Sequence, residues 1–225
     1  MKTRLFYFVL PFMLSASLAS AQSTDMDRTS FAVLGGVNFQ NLNGKDSDGG
    51  KLENDLIIGF HAGVNAQIPI APGFFFQPGL LFSTKGAKAT NSLFTTNYKL
   101  SYVELPLNLV YKGLLGDGAI MIGFGPYVAY GIGGKTITEG GAVKVETDVE
   151  FQNEVEILDP IAVTYIRPLD AGGNIFVGYE MASGLFIQLN TQLGMLKVNP
   201  EDKRVPGDQS IVKHTGFGAS AGFRF

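Results

Sequence analysis

The chain has 225 residues, with 17 Lys and Arg, 20 Asp and Glu, 29 Gly and no Cys. A mildly acidic balance without a basic stripe excludes nucleic-acid binding, and the lack of cysteine excludes a disulfide framework. Glycine is nearly double the usual ~7% and is scattered through apolar stretches, which excludes a low-complexity linker and favours crowded, twisted β structure.

The first element stands outside the fold. Lys2 and Arg4, the apolar run 5–18 and the small-x-small Ala19-Ser20-Ala21 read as a secretory signal peptide over 1–21, cleaved before Gln22. Pro11 and the cleavage pattern argue against a retained anchor. The mature chain, 22–225, loses two of the 17 basic residues and keeps all 20 acidic ones. Its size fits a single domain. No spanning helix is expected from the glycine-rich uncharged run 119–134, whose 16 residues fall short of the about 20 a helix needs and include Pro126.

Eight segments then alternate with a period of two, over 31–40, 56–70, 74–85, 98–112, 119–132, 173–182, 185–198 and 211–225. Alternate side chains of a strand point to opposite faces. One face carries Phe74, Phe76, Leu80 and Phe82, then Val103, Leu105, Leu107, Leu109 and Tyr111, then Leu185, Ile187, Leu189 and Leu193. The other carries Gly, Ser, Asn, Gln and a rare charge. Connections 41–55, 86–97, 133–172 and 199–210 are long, whereas 71–73, 113–118 and 183–184 are short. Long loops at one end and tight turns at the other describe an up-and-down barrel of the outer-membrane type. Pro78, Pro106 and Pro126 fall inside strands, where each removes a ladder hydrogen bond, so bulges or kinks are expected there.

Two barrels fit the alternation. A soluble lipocalin-like carrier would turn its polar set to water, and such a surface is about a quarter to a third charged. The polar set here is almost uncharged. The expectation is therefore an all-β, eight-stranded antiparallel transmembrane barrel in the outer membrane of a Gram-negative envelope, apolar set to lipid and small polar set to a narrow lumen. Phe223 and Phe225 at the chain end would join Phe74, Phe76, Tyr111 and Tyr179 in a periplasmic-side aromatic girdle.

The stretches "FFFQPGLLFSTKG", "SYVELPLNLVYK", "GFGPYVAYGIGG", "FVGYEMASGLFIQLNTQLGMLKV" and "GFGASAGFRF" resemble the PorT-like, or porin-family, outer-membrane β-barrel proteins, over nearly the whole mature chain. The resemblance implies an eight-stranded barrel and, through the family's namesake, service to a protein secretion system. It brings no catalytic motif.

Chemistry-bearing residues are few. His61 and His214 fall on the lumen set, and a polar filler is favoured over a metal or proton site because no carboxylate is placed as a third ligand. Glu104, Glu180 and Arg224 also point inward, where unpaired charge is costly, so a structural ion-paired network is expected. Residues 45–55 resemble a calcium loop but put Gly44 where the first Asp ligand belongs. The glycine-rich 123–134 lacks the strand–turn–helix context of a dinucleotide fingerprint. The reading is a non-enzymatic barrel, without cofactor or metal, serving envelope structure or loop-mediated interaction. Its partners are outer-membrane lipid and a protein met by the outer loops, above all 139–159, with the barrel itself a monomer. A secretion-machine subunit and a soluble carrier of a small apolar ligand are the alternatives. A wide solute pore is excluded, because eight strands enclose room only for side chains or one small ligand.

Overall fold

The computed structural model describes residues 28–225, so the signal-peptide reading lies outside the described residues. Twelve strands follow one another: β1 (Ser30–Lys45), β2 (Ile57–Ala71), β3 (Phe74–Thr90), β4 (Thr95–Leu115), β5 (Gly118–Gly140), β6 (Val143–Phe151), β7 (Glu154–Val155), β8 (Thr164–Ile166), β9 (Leu169–Glu180), β10 (Leu185–Gly194), β11 (Glu201–Asp202) and β12 (Ile211–Arg224). Eight of them close a ring in the order β1-β2-β3-β4-β5-β9-β10-β12, each antiparallel to its neighbours. No helix among the described residues is long and apolar enough to cross a membrane; the crossing is made by strands.

The ring closes between the first and last strands, in one register from Ala32–Arg224 to Lys45–Ile211. Beyond the last pair, Phe31 and Phe225 exchange backbone hydrogen bonds of 3.0 and 2.9 Å. The chain end is thereby tied into the sheet, and the Phe225 ring stays on the outer surface. An edge is a liability in any sheet, and closure removes it.

Outside the ring lies an apolar band that includes Val64, Leu80, Leu105, Ile122, Phe124, Ile175, Leu189 and Phe217, all exposed in the isolated chain. In lipid this is the favoured arrangement. The interior differs from the expected polar lumen by holding two apolar layers. The lower one comprises Ala32, Leu34, Phe75, Val110, Met121, Phe176 and Phe186. Glycine makes room for its rings. Phe176 lies across its cross-strand partner Gly123, and Phe186 across Gly222, where an added Cβ would sit 2.3 Å from ring carbons. The upper layer joins Leu42, Leu100, Tyr102 and Tyr127 of the ring to Val149 of β6, Ile166 of β8 and Val198, with Phe151 packed beside them. The chain outside the ring thus folds back over the outer mouth and closes it.

Three further expectations change. The prolines cause no bulge: the register is the same on both sides of Pro78, Pro106 and Pro126, and only local ladder pairs are missing beside them. The shifts sit instead between Pro69 and Ala71 and between Ser101 and Tyr102. The stretch 86–97 is not a long loop, since β3 and β4 run on to Thr90 and Thr95 and leave only residues 91–94 as a turn. Likewise β5 continues to Gly140 and pairs with β6 as a hairpin, and β9 begins at Leu169. Alternation fades where a strand leaves lipid, but backbone pairing continues into water.

Candidate functional site

The ring brings inward-facing charges from four strands, β3, β4, β9 and β12, into two clusters. In the upper one, Lys85 of β3 places Nζ 3.0 Å from Asp170 Oδ2 of β9 and 3.1 Å from Glu104 Oε2 of β4, all three almost fully buried. Gln192 Nε2 donates to Glu104 Oε1 at 2.5 Å, and Tyr127 OH to Asp170 Oδ2 at 3.3 Å. His214 Nδ1 is 3.2 Å from the same Asp170 oxygen, and its ring meets that of Tyr102 edge-on at 5.3 Å. The Lys85 ammonium lies 4.3 Å from the Tyr127 ring centroid. In the lower cluster Glu180 is shared. Lys112 Nζ reaches its Oε1 at 2.6 Å and Arg224 Nε its Oε2 at 2.8 Å, while Arg224 Nη1 donates to Asn65 Oδ1 at 3.2 Å. Three cations therefore meet three carboxylates, which is how a narrow interior tolerates charge.

Of the residues singled out from the sequence, Glu180 and Arg224 come together, whereas Glu104 belongs to the upper cluster and is partnered by Lys85. Lys85, Lys112 and Asp170 complete the two clusters. Lys112 has the parity of Glu104 in its strand and Lys85 that of Gln77, so both were readable as inward. Asp170 was hidden in a stretch read as loop.

His61 has a different setting. Its Nε2 lies 2.7 Å from Ser220 Oγ and its Nδ1 3.1 Å from Asn38 Oδ1. Hydroxyl, imidazole and amide follow the order of an acyl-transfer triad. The neighbouring cavity, lined by His61, Gln77, Asn108, Asn190 and other amides, is about 60 Å³, room for a few waters. That leaves no room for an acyl substrate. The three side chains come from β12, β2 and β1, and so bind together the seam where the ring closes. The described residues contain no group of three or more His, Cys, Asp or Glu able to hold a metal.

At the short-turn end, Phe74, Phe76, Tyr111, Phe223 and Phe225 are exposed outward. The Phe74 and Tyr111 rings pack at 5.1 Å, and Tyr179 OH donates to Leu115 O at 2.9 Å. At the other end, the 45–55 segment turns on Asp46, whose Oδ1 accepts from the amides of Asp48 at 3.1 Å and Gly50 at 2.7 Å.

The outer layer above the mouth is built from β6, β7, β8 and β11. β7 and β11 pair in parallel, and Lys203 bridges Glu154 at 2.9 Å and Glu156 at 2.6 Å. The Lys203 bond holds the Glu154 carboxyl below its ordinary range, and the Glu156 and Glu154 bonds push the Lys203 ammonium up. Arg204 grips Asp202 at 2.6 and 2.9 Å, which holds that carboxyl down as well. Tyr165, under Arg204, has its phenol pushed up by desolvation and then by Glu150 and Asp159.

The model of the outer membrane protein beta-barrel domain matches residues 20–198. The chain belongs to this family. The match stops before β12, the strand that closes the ring of this outer-membrane barrel. No curated protein matches the chain. Among solved structures, Neisserial surface protein A is similar at 13% identity and a TM-score of 0.44, covering 88% of this chain and 99% of that one. Ail, the attachment invasion locus protein of Yersinia pestis, in complex with the heparin analogue sucrose octasulfate, is similar at 11% identity and a TM-score of 0.43 with the same coverage. The strand ring and the family match carry the fold, and these two structures add no argument to it.

Proposed function

We propose that this outer-membrane barrel is a non-enzymatic, monomeric surface protein that docks a partner through its outer loops, the lumen serving only to hold the barrel together. The observation that carries the reading is the closed mouth. β6, β8 and Val198 bury apolar side chains over the ring, so nothing below them is open to a substrate, while the segments above them form a hydrogen-bonded layer that faces the medium. The mature chain on this reading starts at Gln22 and forms one domain, 22–225. A soluble apolar carrier fits poorly, because the cavity of about 60 Å³ is lined mainly by amides.

The second reading, service to a protein secretion machine, follows from the PorT-like resemblance and would use the same loops. A sulfated ligand like that seen with Ail is disfavoured, since the outer layer is rich in carboxylates.

Single cysteines at Ser47, Ala142 and Gln209, cross-linked in intact cells, test the proposal. Adducts with another envelope protein are expected from Ala142 in the 139–159 segment. Absence of adducts at every position would overturn loop docking, and adducts with secretion components would select the second reading. N-terminal sequencing of the extracted protein checks Gln22.

A further inference from the structure

In the turn between β7 and β8, Ile157, Leu158 and Ile161 are 72%, 95% and 90% exposed. Scattered apolar side chains are ordinary on a surface; three within five residues on a fixed turn are not. The turn is held from several sides. Asp159 Oδ2 accepts from Glu156 N at 2.8 Å and from Gln152 Nε2 at 3.0 Å. Arg204 Nη1 donates to Pro160 O at 3.1 Å, and Tyr165 OH to the same carbonyl at 3.3 Å. Arg204 is itself clamped by Asp202. Preorganised apolar anchors reduce the ordering cost of association.

The surroundings state what charge the occupant carries. Glu150, Glu154, Glu156, Asp159, Glu201 and Asp202 surround the turn, through the β6–β8 and β7–β11 pairings and the bonds above. Arg167, Lys203 and Arg204 oppose them. The collar has six carboxylates against three cations, so it is net negative. A polyanionic glycan or an anionic lipid surface is repelled, and so is a second copy, which carries the same collar.

Resting on the loop-docking reading above, we infer that Ile157, Leu158 and Ile161 anchor a cationic polypeptide, its apolar side chains packing on the turn and its Lys or Arg residues on the collar. The probe is a labelled amphipathic Lys/Leu peptide of 14 residues, titrated against the mature barrel in phosphatidylcholine nanodiscs, with empty discs, a Glu/Leu peptide and a heparin oligosaccharide as comparisons. Saturable binding of the Lys/Leu peptide above the empty-disc level is expected. Leu158→Ser with Ile161→Ser should weaken it at least tenfold, and Glu150→Gln with Glu201→Gln, which break no ion pair described above, several-fold. Folding of each variant is checked by the gel shift of unboiled samples. Peptide binding that neither double variant changes, preference for heparin or the Glu/Leu peptide, or no binding beyond empty discs would overturn the inference. If Ala142 cross-links persist in cells while the peptide result fails, only the partner chemistry is wrong. If the cross-links are also absent, the docking reading itself falls.

Discussion

Glu180 shows how much a single side chain depends on its number of partners. It answers both Lys112 and Arg224. Losing one partner of a buried pair typically costs ~3–5 kcal/mol, because a charge is stranded. Glu180→Ala strands two cations and should fall in that range in urea unfolding from lipid vesicles. Arg224→Ala leaves Glu180 with Lys112 and should cost clearly less; an equal or larger loss would show that the two pairs do not share the carboxylate. A second test concerns space. An alanine at Gly222 would meet the Phe186 ring, and overpacking of this kind costs about 1–3 kcal/mol. Gly222→Ala with Phe186→Leu should recover part of the loss in the same assay.

At the scale of the strand, the two faces should answer differently to charge. Leu189 on β10 is 63% exposed in the isolated chain and faces lipid, so Leu189→Arg should cost about 2–4 kcal/mol near the midplane. Asn190, its neighbour, lines the amide cavity, and Asn190→Asp should cost less than Leu189→Arg. The ranking, read by urea titration of folded barrel, would reverse if the faces were exchanged. The outer strands make a separate prediction about pH. Glu154 and Asp202 have folded carboxyl values below their ordinary ones, so the native state binds fewer protons than the unfolded one. Their contribution is present above the ordinary carboxylate range of roughly 3.9–4.3 and fades as pH falls through the lower folded values. Hydrogen exchange across 152–166, corrected for the intrinsic rate, should therefore rise between pH 7 and pH 3 while the central ladder of β9 and β10 stays protected.

For the whole molecule, closure at both levels of the lumen decides what passes. The apolar lid lies above the upper ion cluster, and the aromatic layer lies inside the lower half. A planar bilayer holding the purified barrel should show no large, steady conductance. Replacing 141–163 by a short Gly-Ser link removes Val149 and Phe151 from the lid, and should raise water access to Lys85 and Asp170. The folded fraction in urea should drop, because Leu42, Leu100 and Val198 then lose their apolar cover. A large steady current through the intact barrel would contradict the closed-lumen account.

How much of this was legible in the sequence depends on how local each feature is. Period-two alternation is a property of neighbouring residues, and lipid on one side with a narrow lumen on the other enforces it. The strand number, the outward set and the inward parity of Glu104, Glu180 and Arg224 could therefore be read directly. The partners could not. Lys85 and Asp170 are 85 residues apart and meet only because β3 and β9 belong to one closed ring. The extension of β3, β4 and β5 into water was equally hidden, since polar residues such as Lys88 and Asn97 give no alternation once lipid is gone, and only pairing with the neighbouring strand holds them extended. The prolines look disruptive in the sequence, yet the unbroken register on either side absorbs them. The barrel is legible along the chain, because lipid imposes its pattern residue by residue. The lid, the shared carboxylates and the exposed turn arise only in the folded ring, because each joins segments distant along the chain.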